Sequence, residues 1–80
     1  MKVILFGIGN FTIIAQLKEN KTKNARVIFL APHGITLVNF PIFDGLSIEN
    51  MPFIEITPND ELYNIYMQTI SGIIISNRIH

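Results

Sequence analysis

Four residues able to hold a nucleic acid fall close together in this sequence: Lys21, Lys23, Asn24 and Arg26. Lysine and arginine neutralise phosphates and release condensed counterions, and an asparagine amide offers a base edge both a donor and an acceptor. His33, in Pro32-His33-Gly34, is the one histidine inside the chain, and its flat ring, like that of Phe29, could stack on a base. Each also has a plainer role. Lysines collect at hairpin tips for solubility, asparagine forms turns, a strand phenylalanine is first a core residue, and a lone turn histidine is first a solvated one.

The residues for catalysis are thinner. A nucleophilic site needs a nucleophile, a base and an orienting acid held together; His33 has only Asp44 and Ser47 to meet, and no convergent set surrounds it. Gly7-Ile8-Gly9 lacks a third glycine and leads into strand-like residues, so it reads as a turn and not as a phosphate-cradling loop. Asp60 and Glu61 sit where a helix would start, and the positive end of its dipole accounts for both. His80 is terminal, and there is no cysteine, no H-x-x-x-H spacing and no acidic ligand cluster. The sequence therefore predicts no enzyme, no metal and no cofactor.

What must position these residues is a single domain over 1–80. A chain of 80 residues buries only about 60 to 65 % of the surface its unfolded form exposes. It is 49 % hydrophobic and 15 % charged, against about 25 % charged in an ordinary soluble domain. Without cysteine, no disulfide or thiolate metal site can staple so small a core. Self-association is the expected remedy. Apolar runs such as Val3 to Phe6 and Phe11 to Ala15 are far shorter than a bilayer span, and no A-x-A-like cleavage site follows the first residues, so a cytoplasmic protein without a membrane partner is expected. Charge is unevenly spread: Lys2, Lys18, Lys21, Lys23 and Arg26 face only Glu19 in the first third, and acids alone follow as far as Asn77. Repeated around a ring, Lys21, Lys23 and Arg26 would make a basic rim.

The order of elements reads as a strand meander. Strands are expected over 2–6, Phe11 to Lys18, Arg26 to Leu30, Ile35 to Phe40 and Glu49 to Thr57, with turns at Gly7-Ile8-Gly9-Asn10, at 19–24, at Ala31-Pro32-His33-Gly34 and at Asp44-Gly45. The period then changes. Thr57 as N-cap and Pro58 at the first position predict a helix over 58–71, with Leu62, Ile65, Tyr66, Thr69 and Ile70 on one stripe and Gly72 as its stop. Ile73-Ile74-Ile75 is predicted to pair as a short terminal strand, 73–76. The fold class that follows is mostly β: a small five-stranded barrel of the SH3 or OB kind over about 2–57, with one C-terminal helix.

Taken together, several segments are similar to small Sm-like proteins encoded by marine phages (cyanophage-type), related in fold to the Sm/LSm and Hfq rings. These are Val3-Ile4-Leu5-Phe6-Gly7, Thr12-Ile13-Ile14-Ala15-Gln16-Leu17, Lys23-Asn24-Ala25-Arg26-Val27-Ile28, and Pro32-His33-Gly34-Ile35-Thr36-Leu37-Val38-Asn39-Phe40-Pro41. The helical end, Pro58-Asn59-Asp60-Glu61-Leu62-Tyr63-Asn64-Ile65-Tyr66-Met67-Gln68-Thr69-Ile70-Ser71-Gly72, with its apolar finish, completes the likeness. The resemblance implies a five-stranded Sm-like barrel, a closed homo-oligomeric ring and RNA binding. Sm proteins open with a helix, whereas this sequence opens in its first strand, so the C-terminal helix is expected to cover the surface left bare. Asn24 stands near the base-contacting asparagine of the first Sm signature, without the acid that precedes it there. Asp44-Gly45 stands where the second signature has a cation before glycine.

The function expected on these grounds is a ring of five to seven copies, with five as the first choice, that captures single-stranded RNA of any sequence near its rim or pore through Lys21, Lys23, Asn24 and Arg26, with aromatic or His33 stacking as a secondary contribution. Its setting would be the cytoplasm of an infected host cell. The competing expectation is a structural or adaptor ring that binds a phage or host protein through its helix and acidic side.

Overall fold

The computed structural model describes residues 1–72. Five antiparallel strands are followed by one helix: β1 (Lys2–Ile8), β2 (Phe11–Lys18), β3 (Lys21–Ala31), β4 (Gly34–Asn39), β5 (Ile54–Ile56) and α1 (Glu61–Ser71), with a 3₁₀ turn at Pro41–Phe43. The strands form one sheet in the order β4-β3-β2-β1-β5. β4 and β5 are its edges, so the pairing describes an open sheet and does not show closure into a barrel. The terminal strand expected over 73–76 lies outside the described residues.

Three hairpins turn on two residues each, which is why they are sharper than the sequence suggested. Ile8 pairs with Phe11 across Gly9-Asn10, and Gly9 takes a positive φ of 58°. Lys18 pairs with Lys21 across Glu19-Asn20, both at positive φ, the backbone of a primed turn that matches the twist of the flanking strands. Ala31 pairs with Gly34 across Pro32-His33. The expected polar turn over 19–24 therefore shrinks to two residues. β3 begins at Lys21 instead of Arg26, because the strand continues through its polar half.

Both faces of the sheet are covered, which explains why the central strands do not alternate. On one face Ile4, Phe6, Ile13, Ala15, Ala25 and Val27 pack with Ile48 under the segment between β4 and β5, joined by Phe43, Leu46 and Met51. On the other, Val3, Ile14 and Ile56 pack with Tyr66 of α1, joined by Leu62, Tyr63, Met67 and Ile70. Neighbours on a strand point to opposite faces; Val3-Ile4 and Ile13-Ile14 must therefore be apolar at every step. The covering segment is tied along the first half of β3: the Gly45 amide donates to the Thr22 carbonyl (2.7 Å), the Thr22 amide to Leu46 (3.0 Å) and the Ile48 amide to Asn20 (3.0 Å). Thr22, buried, donates its hydroxyl to the Phe43 carbonyl (2.6 Å) and accepts from the Leu46 amide (2.9 Å).

The helix starts later than predicted. Asp60 is its N-cap, and the Asp60 amide closes a turn on the Thr57 carbonyl (2.9 Å); Thr57 and Pro58 precede the helix. Gly72, at φ 73°, ends it in the left-handed conformation expected of a stop. The buried stripe is rotated from the expected one: Tyr63 and Met67 face the sheet with Leu62, Tyr66 and Ile70, while Thr69 is exposed. Only Ile54–Ile56 of the expected fifth strand 49–57 is paired, with Val3 to Leu5, because Pro52 and the turns before it divert the rest to covering the sheet. No helix among the described residues is long and apolar enough to cross a membrane.

Candidate nucleic-acid interface

The candidate residues sit on the first half of β3, where that strand carries one residue too many. Between the pairs Ile14↔Arg26 and Gln16↔Lys23 the register slips, so Asn24 and Ala25 together face Ala15. Asn24 is the residue that absorbs the excess, at φ 55°, a left-handed conformation that asparagine tolerates better than most residues. A bulge leaves backbone groups without ladder partners, and here side chains take them. The Ala25 amide donates to Asp44 Oδ1 at 2.7 Å, and the Asn24 carbonyl accepts the Tyr66 hydroxyl at 2.8 Å.

This wiring settles what Asn24 and Arg26 are doing in the folded chain. Asn24 Nδ2 donates to Gln16 Oε1 at 2.8 Å. Arg26 Nη1 donates to Asn39 Oδ1 (3.0 Å) on β4 and to the Ala25 carbonyl (3.1 Å). Arg26 is half-buried. Burial pushes the Tyr66 hydroxyl up to about 12, against the opposing pull of the Arg26 charge nearby. Asp44, the acid in place of a cation, serves as a backbone acceptor.

Lys21 and Lys23 are exposed. Thr22 and Leu17 point toward the covering segment, so alternation puts Lys21 and Lys23 on the α1 side of the sheet together with Gln16 and Lys18. Lys18 is the residue that reading the sequence missed: it lies directly opposite Lys21. The signal was present, since Glu19-Asn20 is a two-residue turn whose flanks must pair. An open concavity of about 380 Å³, lined by Met1, Lys2, Leu17, Lys18, Glu19 and Asn20, adjoins this end of the sheet. Among the described residues the ion pair within 4 Å is Lys2 with Glu55, at 3.9 Å and exposed; none joins an acid to Lys18, Lys21 or Lys23.

His33 is not brought to these residues. It lies in the turn at the other end of β3, roughly 30 Å along the strand from Lys21 at about 3.3 Å per residue. Phe29 is not a core residue but 45 % exposed, set edge-on to Phe11 at 6.4 Å, and Phe11 also meets Phe40 and Phe43. These rings lie on the face opposite the lysines, since Phe29 alternates with Val27 of the first core. No three His, Cys, Asp or Glu side chains converge among the described residues.

Compared with known proteins, the chain matches no family model, and neither a curated protein nor a solved structure matches it significantly.

Proposed function

We propose that the chain is an Sm-like protein whose copies join edge to edge into a closed ring, five being the first expectation within five to seven, and that the ring captures single-stranded RNA in the cytoplasm of a host cell. The observation that carries the RNA reading is the pair Lys21 and Lys23, side by side on one sheet face, solvent-exposed and without a carboxylate partner among the described residues. Symmetry would repeat that pair around a rim, and phosphate binding grows with each cation added. Assembly is favoured by the edges: Ile35 and Val38 of β4 and Ile54 of β5 are exposed apolar residues on strands that have no second neighbour among the described residues. Asn24 and Arg26 shape the same stretch of β3, and His33 belongs to a separate end of the ring wall.

Titration of short single-stranded RNAs at increasing salt tests this reading. Binding that weakens with salt, and is lost when Lys21 and Lys23 are both changed to glutamate, is expected; a wild-type protein that binds no RNA at low salt rejects it. A second reading, the adaptor ring, has its own observation: Ile42 is 74 % exposed beside Phe43, whose ring meets those of Phe11 and Phe40, both also exposed, an apolar surface suited to a protein partner.

A further inference from the structure

We propose that Lys18, Lys21 and Lys23 form a seat for a run of phosphates and that the backbone, not the bases, is what this face recognises; the inference rests on the RNA reading above. Lys18 and Lys21 are a directly opposed cross-strand pair, with Cβ atoms about 5 Å apart. Lys23 follows Lys21 on the same face, two residues or about 6.6 Å along the strand. Like charges placed opposite one another repel and destabilise a sheet. No ion pair offsets that repulsion here: all three lysines are exposed, and no carboxylate lies within ion-pairing distance of any of them among the described residues. Glu19, the acid nearest in sequence, is in the turn between Lys18 and Lys21 and pairs with neither. A polyanion relieves three ammonium groups at once.

The groups that would read a base are otherwise engaged. Asn24 Nδ2 donates to Gln16 Oε1, the Asn24 backbone carbonyl takes the Tyr66 hydroxyl and so fixes the residue in place, and Arg26 Nη1 is held to Asn39 Oδ1. What is left facing solvent is a row of ammonium groups, and lysine binds phosphate as a point charge without regard to sequence.

Binding of oligouridylate, oligoadenylate and inorganic polyphosphate to the full chain, each measured across a salt series, tests the proposal. Equal affinity for the two RNAs is expected, with a log–log salt slope of magnitude about 2 per site, falling by about 0.7 in Lys18→Ala, as in Lys21→Ala and Lys23→Ala. Lys18→Glu is expected to raise the melting temperature, by removing the opposed pair, while weakening binding. Polyphosphate bound through the three lysines with no RNA bound would sustain the seat and reject RNA as its ligand. RNA bound with a base preference that Lys18→Ala leaves intact and Asn24→Ala abolishes would overturn the seat while RNA binding stands. Failure of all three probes at low salt would overturn both.

Discussion

At Asp44 a single carboxylate oxygen does what a ladder partner would otherwise do. The bulge at Asn24 leaves the Ala25 amide facing away from β2, in a position with no solvent, and Asp44 Oδ1 accepts it at 2.7 Å. Asp44→Ala should therefore cost about 1–3 kcal/mol, the range for orphaning a buried donor, while Asp44→Asn keeps an acceptor and should cost less. Urea unfolding of the two variants checks this, and equal losses would show that the charge, not the hydrogen bond, matters. Nothing in the sequence revealed this role, since it depends on a contact 19 residues away across a register slip that residue types do not encode. Tyr66 gives a second test. Its folded value of about 12 lies above the ordinary 10.0, so the folded protein holds this proton more tightly. The stabilisation is whole below pH 10 and is lost as pH rises from 10 through 12, a fall on the order of 2–3 kcal/mol. Tyr66→Phe should flatten that alkaline decline while costing about 1 kcal/mol at neutral pH through the lost hydrogen bond. Chemical unfolding at pH 8 and pH 11 of both proteins decides it.

Among the elements, β2 carries the clearest consequence. Ile13 and Ile14 are consecutive, both inaccessible to solvent, and belong to different cores, one under the covering segment and one under α1. Replacing either with alanine should cost about 2–5 kcal/mol, because each leaves a cavity in its own layer. A half-exposed strand would show that cost at one position and almost none at its neighbour, so the paired measurement by thermal or urea unfolding tests the layering directly. The first four strands and the helix were legible in the sequence because turn residues and the change of period mark them: Gly9-Asn10, Pro32-His33 and Gly72 all lie where a chain reversal or a stop was expected. The packing of α1 on the sheet was expected from the family resemblance and not from the residues themselves. The rest of the fold was not legible. A bend at Asp44-Gly45 and a strand from Glu49 were expected, yet residues 44–51 cover Phe6, Ala15 and Val27, a role fixed by Thr22 and its two hydrogen bonds. Likewise the start of α1 slips from Pro58 to Glu61 because the Asp60 amide closes a turn on Thr57 before the helix begins. The candidate site was half legible: Lys21 and Lys23 keep their place, His33 falls at the other end of β3, and Lys18 enters only when its cross-strand partner is known.

For the molecule as a whole, few charges and a thin core leave apolar side chains exposed among the described residues. Both sides of the sheet are occupied, one by α1 and the other by the covering segment, and among the apolar residues left exposed are three on the edge strands, Ile35 and Val38 of β4 and Ile54 of β5. Ile54 on β5 is 66 % exposed and belongs to neither core; among the described residues its strand pairs with β1 alone. A lysine there is a device by which sheet edges are kept from pairing. Ile54→Lys should thus leave the folded protomer intact, within about 0.5 kcal/mol for a surface position, while converting the proposed ring to single chains. Sedimentation and native mass spectrometry give the subunit number, and circular dichroism reports the fold. If the ring also concentrates the lysines, the same variant should lose RNA affinity although no lysine of the binding row has been removed, since a single protomer presents only its own cations. Retained assembly with unchanged binding would place the interface elsewhere than β5, and a wild-type protein that sediments as a single chain at all concentrations would remove the ring and the basic rim together.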